Sequence, residues 1–214
     1  MRFVNIILLL SIGMNPCNSQ TQKKFKTAEN RAAALKEYYE KVINSAGSEK
    51  PKYEQLFFEA FPSSFQEMQS VFGYDEEKGA APMYYYNIEL ESEGKISIIS
   101  FFYNLNYIDK EQHYNKYINI CIGGQWDADN ISEGFGIGAK LYNDTEAMAS
   151  VLSKRTNKEI ISAIRFVFDG PHPEQRKEYY EELYNKVKLV NSRISNLIKL
   201  AYEQLLAEDD CHGN

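Results

Sequence analysis

Apolar residues recur at three- and four-residue steps along most of the chain, a period that predicts helices. Between Thr27 and about Asn44, the positions Ala28, Ala32, Leu35, Tyr38 or Tyr39, and Val42 form one such face. Asn44 to Pro51 (NSAGSEKP) carries turn chemistry and reads as a linker. From Lys52 to Phe61 the residues Leu56, Phe57, Ala60 and Phe61 share a side. Pro62 stops that helix, and Ser63 or Ser64 can cap the next, whose apolar residues are Phe65, Met68, Val71 and Phe72 before Gly73. Asp75 to Pro82 reads as a loop, charged first and small later.

Met83 to Leu105 carries two patterns at once. Ile88 and Leu90 alternate with Glu89, Glu91 and Glu93, Glu93-Gly94 reads as a turn, and Ile96, Ile98, Ile99, Phe101 and Phe102 follow. Alternation and β-branching fit a short β-hairpin over 84–102, while the apolar density of the second half fits buried helix. Helices are the preferred reading because both flanks are helical.

Further on, Tyr114, Tyr117, Ile118 and Cys121 place a helix over Asp109 to Ile122, ending at Gly123-Gly124. Trp126 to Leu141 holds Ile131, Phe135 and Ile137, and Asn143 or Asp144 can cap Thr145 to Lys154. Thr156 and Glu159 have the spacing of a capping box ahead of Ile160, Ile161, Ile164, Val167 and Phe168, the expected central helix. Asp169 to Pro173 breaks it. From Glu174 to Glu208, the residues Tyr180, Leu183, Val187, Val190, Ile194, Leu197 and Ala201 then form a heptad seam, predicting one long C-terminal helix of roughly 50 Å. The expected fold is therefore mainly α: a single-domain helical bundle over 27–214, with a long C-terminal helix packing along it. A coiled-coil dimer through the seam is the lesser alternative, and a monomer is favoured.

The first residues depart from this pattern. Arg2 precedes an apolar stretch from Val4 to Met14, which is too short to span a bilayer as a helix and has the length of a secretion signal. Small residues at Cys17 and Ser19 fit a cut after Ser19. That makes 1–19 a signal peptide and 20–26 a flexible tether. Lipidation of Cys17 is the alternative, since the polar run after it resembles an anchored lipoprotein's tether, although Met14-Asn15-Pro16 is a poor approach to such a cysteine. The expected location is the periplasm or, through Cys17, the face of the cell envelope. In an oxidising compartment Cys121 and Cys211 can form one disulfide or stay as thiols.

Composition adds two points. Aromatic residues reach 14%, with 16 Tyr and 12 Phe, and tyrosine suits both half-buried core edges and recognition surfaces. The net charge is −6, and no basic stripe interleaved with aromatics is visible. Nucleic acid is therefore not expected as a ligand, whereas a basic protein partner is electrostatically favoured.

Candidate chemistry is thin. Gly134, Gly136 and Gly138 lack the spacing and the preceding strand of a nucleotide-binding loop, and are better read as small residues that let helices approach. Asp127-Ala128-Asp129-Asn130 begins like a calcium loop, but Ser132 and Gly138 stand where that loop needs Gly and Glu. His172, held between two prolines and three residues after Asp169, is the strongest single candidate for a base or ligand, yet no nucleophile or second ligand accompanies it. His113 and His212 have no partner at metal-site spacing, and Glu89, Glu91 and Glu93 read as solvated charge. No cofactor or metal is expected.

Three stretches carry a resemblance: Phe57 to Phe65 (FFEAFPSSF) with Phe72 to Asp75; Tyr117 to Ile122 with Gly124 to Asp129; and Phe166 to Pro173 (FVFDGPHP). Across roughly 27–208 the chain resembles small exported helical proteins associated with contact-dependent and type VI secretion toxins, several of them immunity proteins. The resemblance implies an exported scaffold that neutralises a toxin by direct contact and needs no catalytic residues. The candidate contact surface is the stretch from Gly73 to Tyr86, combining Asp75, Glu76 and Glu77 with Tyr84, Tyr85 and Tyr86. Two rival functions stay open: an envelope hydrolase built on Asp169 and His172, and an envelope scaffold assembling through the C-terminal seam.

Overall fold

Several helix starts among the described residues are set by short polar side chains that accept a hydrogen bond from the first free backbone N–H groups. Thr27 accepts from Asn30, Ser64 from Glu67, Ser97 from Ser100 and Asp109 from Gln112. Thr156 and Glu159 complete the capping box in both directions. Asp144 stands at a helix start but its carboxylate is used elsewhere, accepting from the Tyr114 hydroxyl at 2.6 Å and pairing with Lys110 at 2.8 Å.

The computed structural model describes residues 25–125, 136–170 and 173–212. The signal segment, Cys17, Asp127, Asp129, Gly134 and His172 lie outside the described residues, as does the Cys211 side chain. Eleven helices are present among the described residues: α1 (Ala28–Asn44), α2 (Lys50–Ala60), α3 (Phe65–Phe72), α4 (Tyr84–Ser92), α5 (Ile98–Tyr103), α6 (Lys110–Cys121), α7 (Ile137–Asn143), α8 (Thr145–Ser153), α9 (Asn157–Asp169), α10 (Pro173–Lys188) and α11 (Ser192–His212). The fold is a mainly α bundle. The stretch 84–102 is helical, as α4 and the start of α5, and the small antiparallel hairpin lies just before it, pairing β1 (Tyr74–Asp75) with β2 (Gly79–Ala80).

The apolar faces meet in one core. α1 packs on α2, α6 on α8 and α9, and α9 lies against both α10 and α11. α9 is central as its pattern predicts, burying Ile160, Ala163, Ile164, Phe166, Val167 and Phe168. Aromatic rings fill the space between α2, α5 and α6: Phe61 stacks on Phe102 at 3.8 Å between centroids, and Phe57, Phe58 and Tyr117 close around them. Phe25 also packs on this core, so the packed region begins inside the stretch expected to be tether. Of the sixteen tyrosines only Tyr85, Tyr107 and Tyr142 are exposed; the others line seams and core edges.

The single long C-terminal helix is not what forms. α10 and α11 are separate, joined by the turn at 189–191, and pack on each other as an antiparallel pair. Asn191 ends the run, because its side-chain oxygen caps α11 at the Ile194 N–H (3.1 Å) while the N–H groups of Val190 and Asn191 close back on the Val187 carbonyl. Leu183, Val187, Ile194, Leu197 and Ala201 are buried within the chain itself, and Val190, the seam residue that falls in the turn, is exposed. The heptad spacing therefore continued across a break because both helices turn an apolar stripe to the same core.

Gly136 and Gly138 behave as close-approach residues. Gly136 has φ +72°, and a Cβ there would lie 2.3 Å from the Tyr103 ring; a Cβ at Gly138 would lie 1.7 Å from the Tyr179 hydroxyl.

Candidate functional site

The candidate surface is built by the hairpin and the helix that follows it. Its local geometry comes from Asp75, whose Oδ1 accepts from the N–H groups of Glu77 (3.0 Å) and Lys78 (2.9 Å) while Oδ2 takes the Lys78 ammonium at 3.0 Å. The same contacts hold the Asp75 carboxyl below its ordinary pKa, led by the Lys78 side chain. Asp75 is thus the residue that shapes the turn, and its charge is answered on the spot. Glu76 and Glu77 stand exposed beside it.

Two further hydrogen bonds lock the hairpin to the bundle: Ala81 N–H to the Gly73 carbonyl and Met83 N–H to the Val71 carbonyl. Met83 is fully buried and anchors the start of α4. The hairpin, the start of α1 and the end of α3 border an open groove of about 790 Å³, lined among others by Glu29, Gln69, Tyr74, Glu76 and Lys78.

The three tyrosines divide. Tyr84 is half-buried between the rings of Tyr74 (5.5 Å) and Tyr85 (5.2 Å). Tyr86 packs on the core beneath the Lys36 ammonium (4.1 Å), and partial burial, then Glu40, raises its phenol pKa. Tyr85 alone is 60% exposed, with Ile88 one helical turn further on also exposed. Glu76, Glu77 and Tyr85 are therefore accessible, Tyr85 reaching the hairpin through the Tyr84 and Tyr74 rings, while Asp75 shapes the turn and Tyr84 and Tyr86 are half-buried.

The rival residues are placed differently. The Asp169 carboxylate faces the Arg176 guanidinium at 4.0 Å, and its carbonyl accepts from the same side chain at 3.4 Å. Glu89 and Glu91 are exposed, and Glu93 pairs with Lys95 at 2.6 Å. Among the described residues no group of three metal-ligating side chains forms, and no helix is long and apolar enough to cross a membrane.

Sequence reasoning missed the roles of four buried charged and polar groups. Arg31 from α1 and Lys116 from α6 converge on the C-terminal end of α2. Arg31 donates to the Ala60 carbonyl at 2.8 Å and pairs with Glu67 at 3.0 Å; Lys116 donates to the carbonyls of Phe58 and Phe61. Glu54 accepts from the N–H groups of Asn106 and Tyr107, both at 2.5 Å. His113 is enclosed by Phe58, Phe102 and Tyr117, with Nε2 2.9 Å from the Phe102 carbonyl. Burial drives the His113 pKa down to about 4, so the ring is neutral and its Nε2–H donates. Helical register was the available signal: Arg31 sits between Ala28 and Leu35 on the core face, and His113 is one turn before Tyr117. Each of these groups satisfies backbone, so the FFEAFPSS stretch is a junction held by two cations.

What the fold and surface define is a helical bundle that presents a small acidic, tyrosine-edged hairpin. Compared with known proteins, the chain matches no family model, and neither the curated proteins nor the solved structures contain a significant match.

Proposed function

We propose that the chain is a non-catalytic binding protein of the immunity type, which neutralises a basic toxin by holding it against the hairpin–α4 surface. The observation that carries the reading is Tyr85, 60% exposed at the head of α4 and linked through the Tyr84 and Tyr74 rings to the hairpin on which Glu76 and Glu77 stand exposed. An exposed large aromatic on a fixed backbone supplies contact area at low entropic cost, and such residues dominate interface energetics. Glu76 and Glu77 steer a cationic partner towards it. The seam that an assembling scaffold would use is occupied by the chain's own core. Asp169 engages Arg176.

The test is capture by the full chain of a basic toxin candidate encoded beside its gene, together with protection of cells from that candidate. Tyr85→Ala is expected to weaken binding by about 2 kcal/mol, roughly thirtyfold in Kd. Glu76→Lys with Glu77→Lys is expected to slow association roughly tenfold at low salt and less at high salt. Absence of both capture and protection would sink the function. Capture unaffected by these substitutions would place the interface elsewhere on the molecule.

A further inference from the structure

The chain is acidic overall, yet one end of the bundle is basic. The turn between α10 and α11 is fastened to the α8–α9 junction. Arg193 donates to the carbonyls of Ser153 and Arg155, both at 3.1 Å, and to Asn157 Oδ1 at 2.6 Å; Asn191 donates to Ser153 Oγ at 2.9 Å. Two segments far apart in sequence are thereby joined: Lys154 to Lys158 (KRTNK) and Lys186 to Arg193 (KVKLVNSR).

Carboxylates answer only part of this charge. Lys154 pairs with Glu111 at 2.6 Å and Arg155 faces Glu159 at 3.6 Å. Among the described residues, Lys158, Lys186, Lys188 and Arg193 have no carboxylate at ion-pair distance. Lys186 and Lys188 instead lie over the rings of Tyr142 (3.7 Å) and Tyr184 (5.5 Å), which hold the cations without neutralising them. At the tip of the turn, between these lysines and Arg193, stand Leu189, 87% exposed, and Val190, 44% exposed. Leu189 is the most exposed large apolar side chain among the described residues.

We propose that this end of the bundle docks on an anionic membrane surface, with Leu189 and Val190 entering the boundary between headgroups and acyl chains. Lys158, Lys186, Lys188 and Arg193 meet the anionic headgroups. Two adjacent aliphatic residues on a convex turn, flanked by long cationic side chains, match the two needs of an interfacial anchor: apolar insertion and headgroup attraction. The lysine stems can follow the apolar tip while their ammonium groups stay at the polar layer. A fluid interface closes around a convex tip, whereas a protein partner needs a complementary concavity and far more area than two side chains supply. A nucleic acid would set the two aliphatic residues against its polar backbone. The surface shares no residue with the hairpin–α4 site and stands independently of it.

The full chain carrying Leu189→Trp tests this against vesicles of phosphatidylcholine alone and of phosphatidylcholine with phosphatidylglycerol. Emission is read as the difference from the parent chain, whose one tryptophan is Trp126. The apolar N-terminal stretch is common to every variant, so the signal belongs to position 189. The expected result is a blue shift and quenching by brominated acyl chains on the anionic vesicles only. Adding Lys158→Gln and Lys188→Gln is expected to weaken binding roughly thirtyfold, at about tenfold per 1.4 kcal/mol and near 1 kcal/mol per charge. No shift on anionic vesicles, or an equal shift on neutral ones, overturns the proposal. So does a polyglutamate peptide or RNA that binds this end and displaces the vesicles.

Discussion

Buried charged and polar side chains in this fold terminate unfinished stretches of backbone. Arg31 and Lys116 occupy the carbonyl end of α2, where the helix dipole favours cations, and Glu54 takes the N–H groups of a loop. His113 follows the same rule as a neutral donor, and its environment makes it an acid-sensitive point. Its folded pKa of about 4 lies below the ordinary value of 6.5, so the unfolded chain takes up a proton first as pH falls. Its contribution is fully present above about pH 6.5 and is lost as pH falls towards 4. Urea unfolding at pH 7 and pH 4.5 checks this: wild-type stability is expected to fall by about 2 kcal/mol more than that of His113→Gln over the interval. An equal fall in both would show that His113 is not the titrating group.

At the scale of elements, polar capping residues decide boundaries that apolar periodicity leaves open. The capping box at Thr156 was visible because both partners lie within four residues and precede an apolar run. Asn191 was not, because the seam read through it without losing its step. Replacing Asn191 with Ala removes the cap on Ile194 and the bond to Ser153. The expected cost is about 1–2 kcal/mol in unfolding free energy, with helix content by circular dichroism little changed. A rise in stability would instead mean that α10 and α11 can fuse into the longer helix. The 84–102 stretch took the preferred helical form: a helix boundary forms at Ser97, whose hydroxyl accepts from Ser100, and Ile98 and Phe102 go into the core together.

For the whole molecule, the two proposed surfaces carry opposite charge. Glu76 and Glu77 stand exposed on the hairpin, while Lys186, Lys188 and Arg193, which have no carboxylate at ion-pair distance among the described residues, flank Leu189 and Val190 in the chain. The two proposed surfaces are separable if both readings hold. Tyr85→Ala is expected to leave vesicle binding unchanged within twofold, and Leu189→Ser with Val190→Ser to leave toxin capture unchanged, as expected for sites without shared residues. Titration calorimetry and vesicle co-sedimentation on the same two variants measure this. Loss of both activities in either variant would indicate one shared surface and contradict the assignment.

Local rules acting over a few residues were enough for the helical class, most helix positions, the core faces and the Thr156 box, since helix period and capping are properties of neighbours in sequence. The acidic hairpin stretch could be named as a surface for the same reason. Tertiary structure alone decided which of its tyrosines reaches solvent, because Tyr84, Tyr85 and Tyr86 differ only in what packs against them. It also decided that the C-terminal seam folds back on its own core, and that 154–158 and 186–193 become one basic end. A net charge averages over the chain, whereas a surface potential depends on which segments the fold sets side by side.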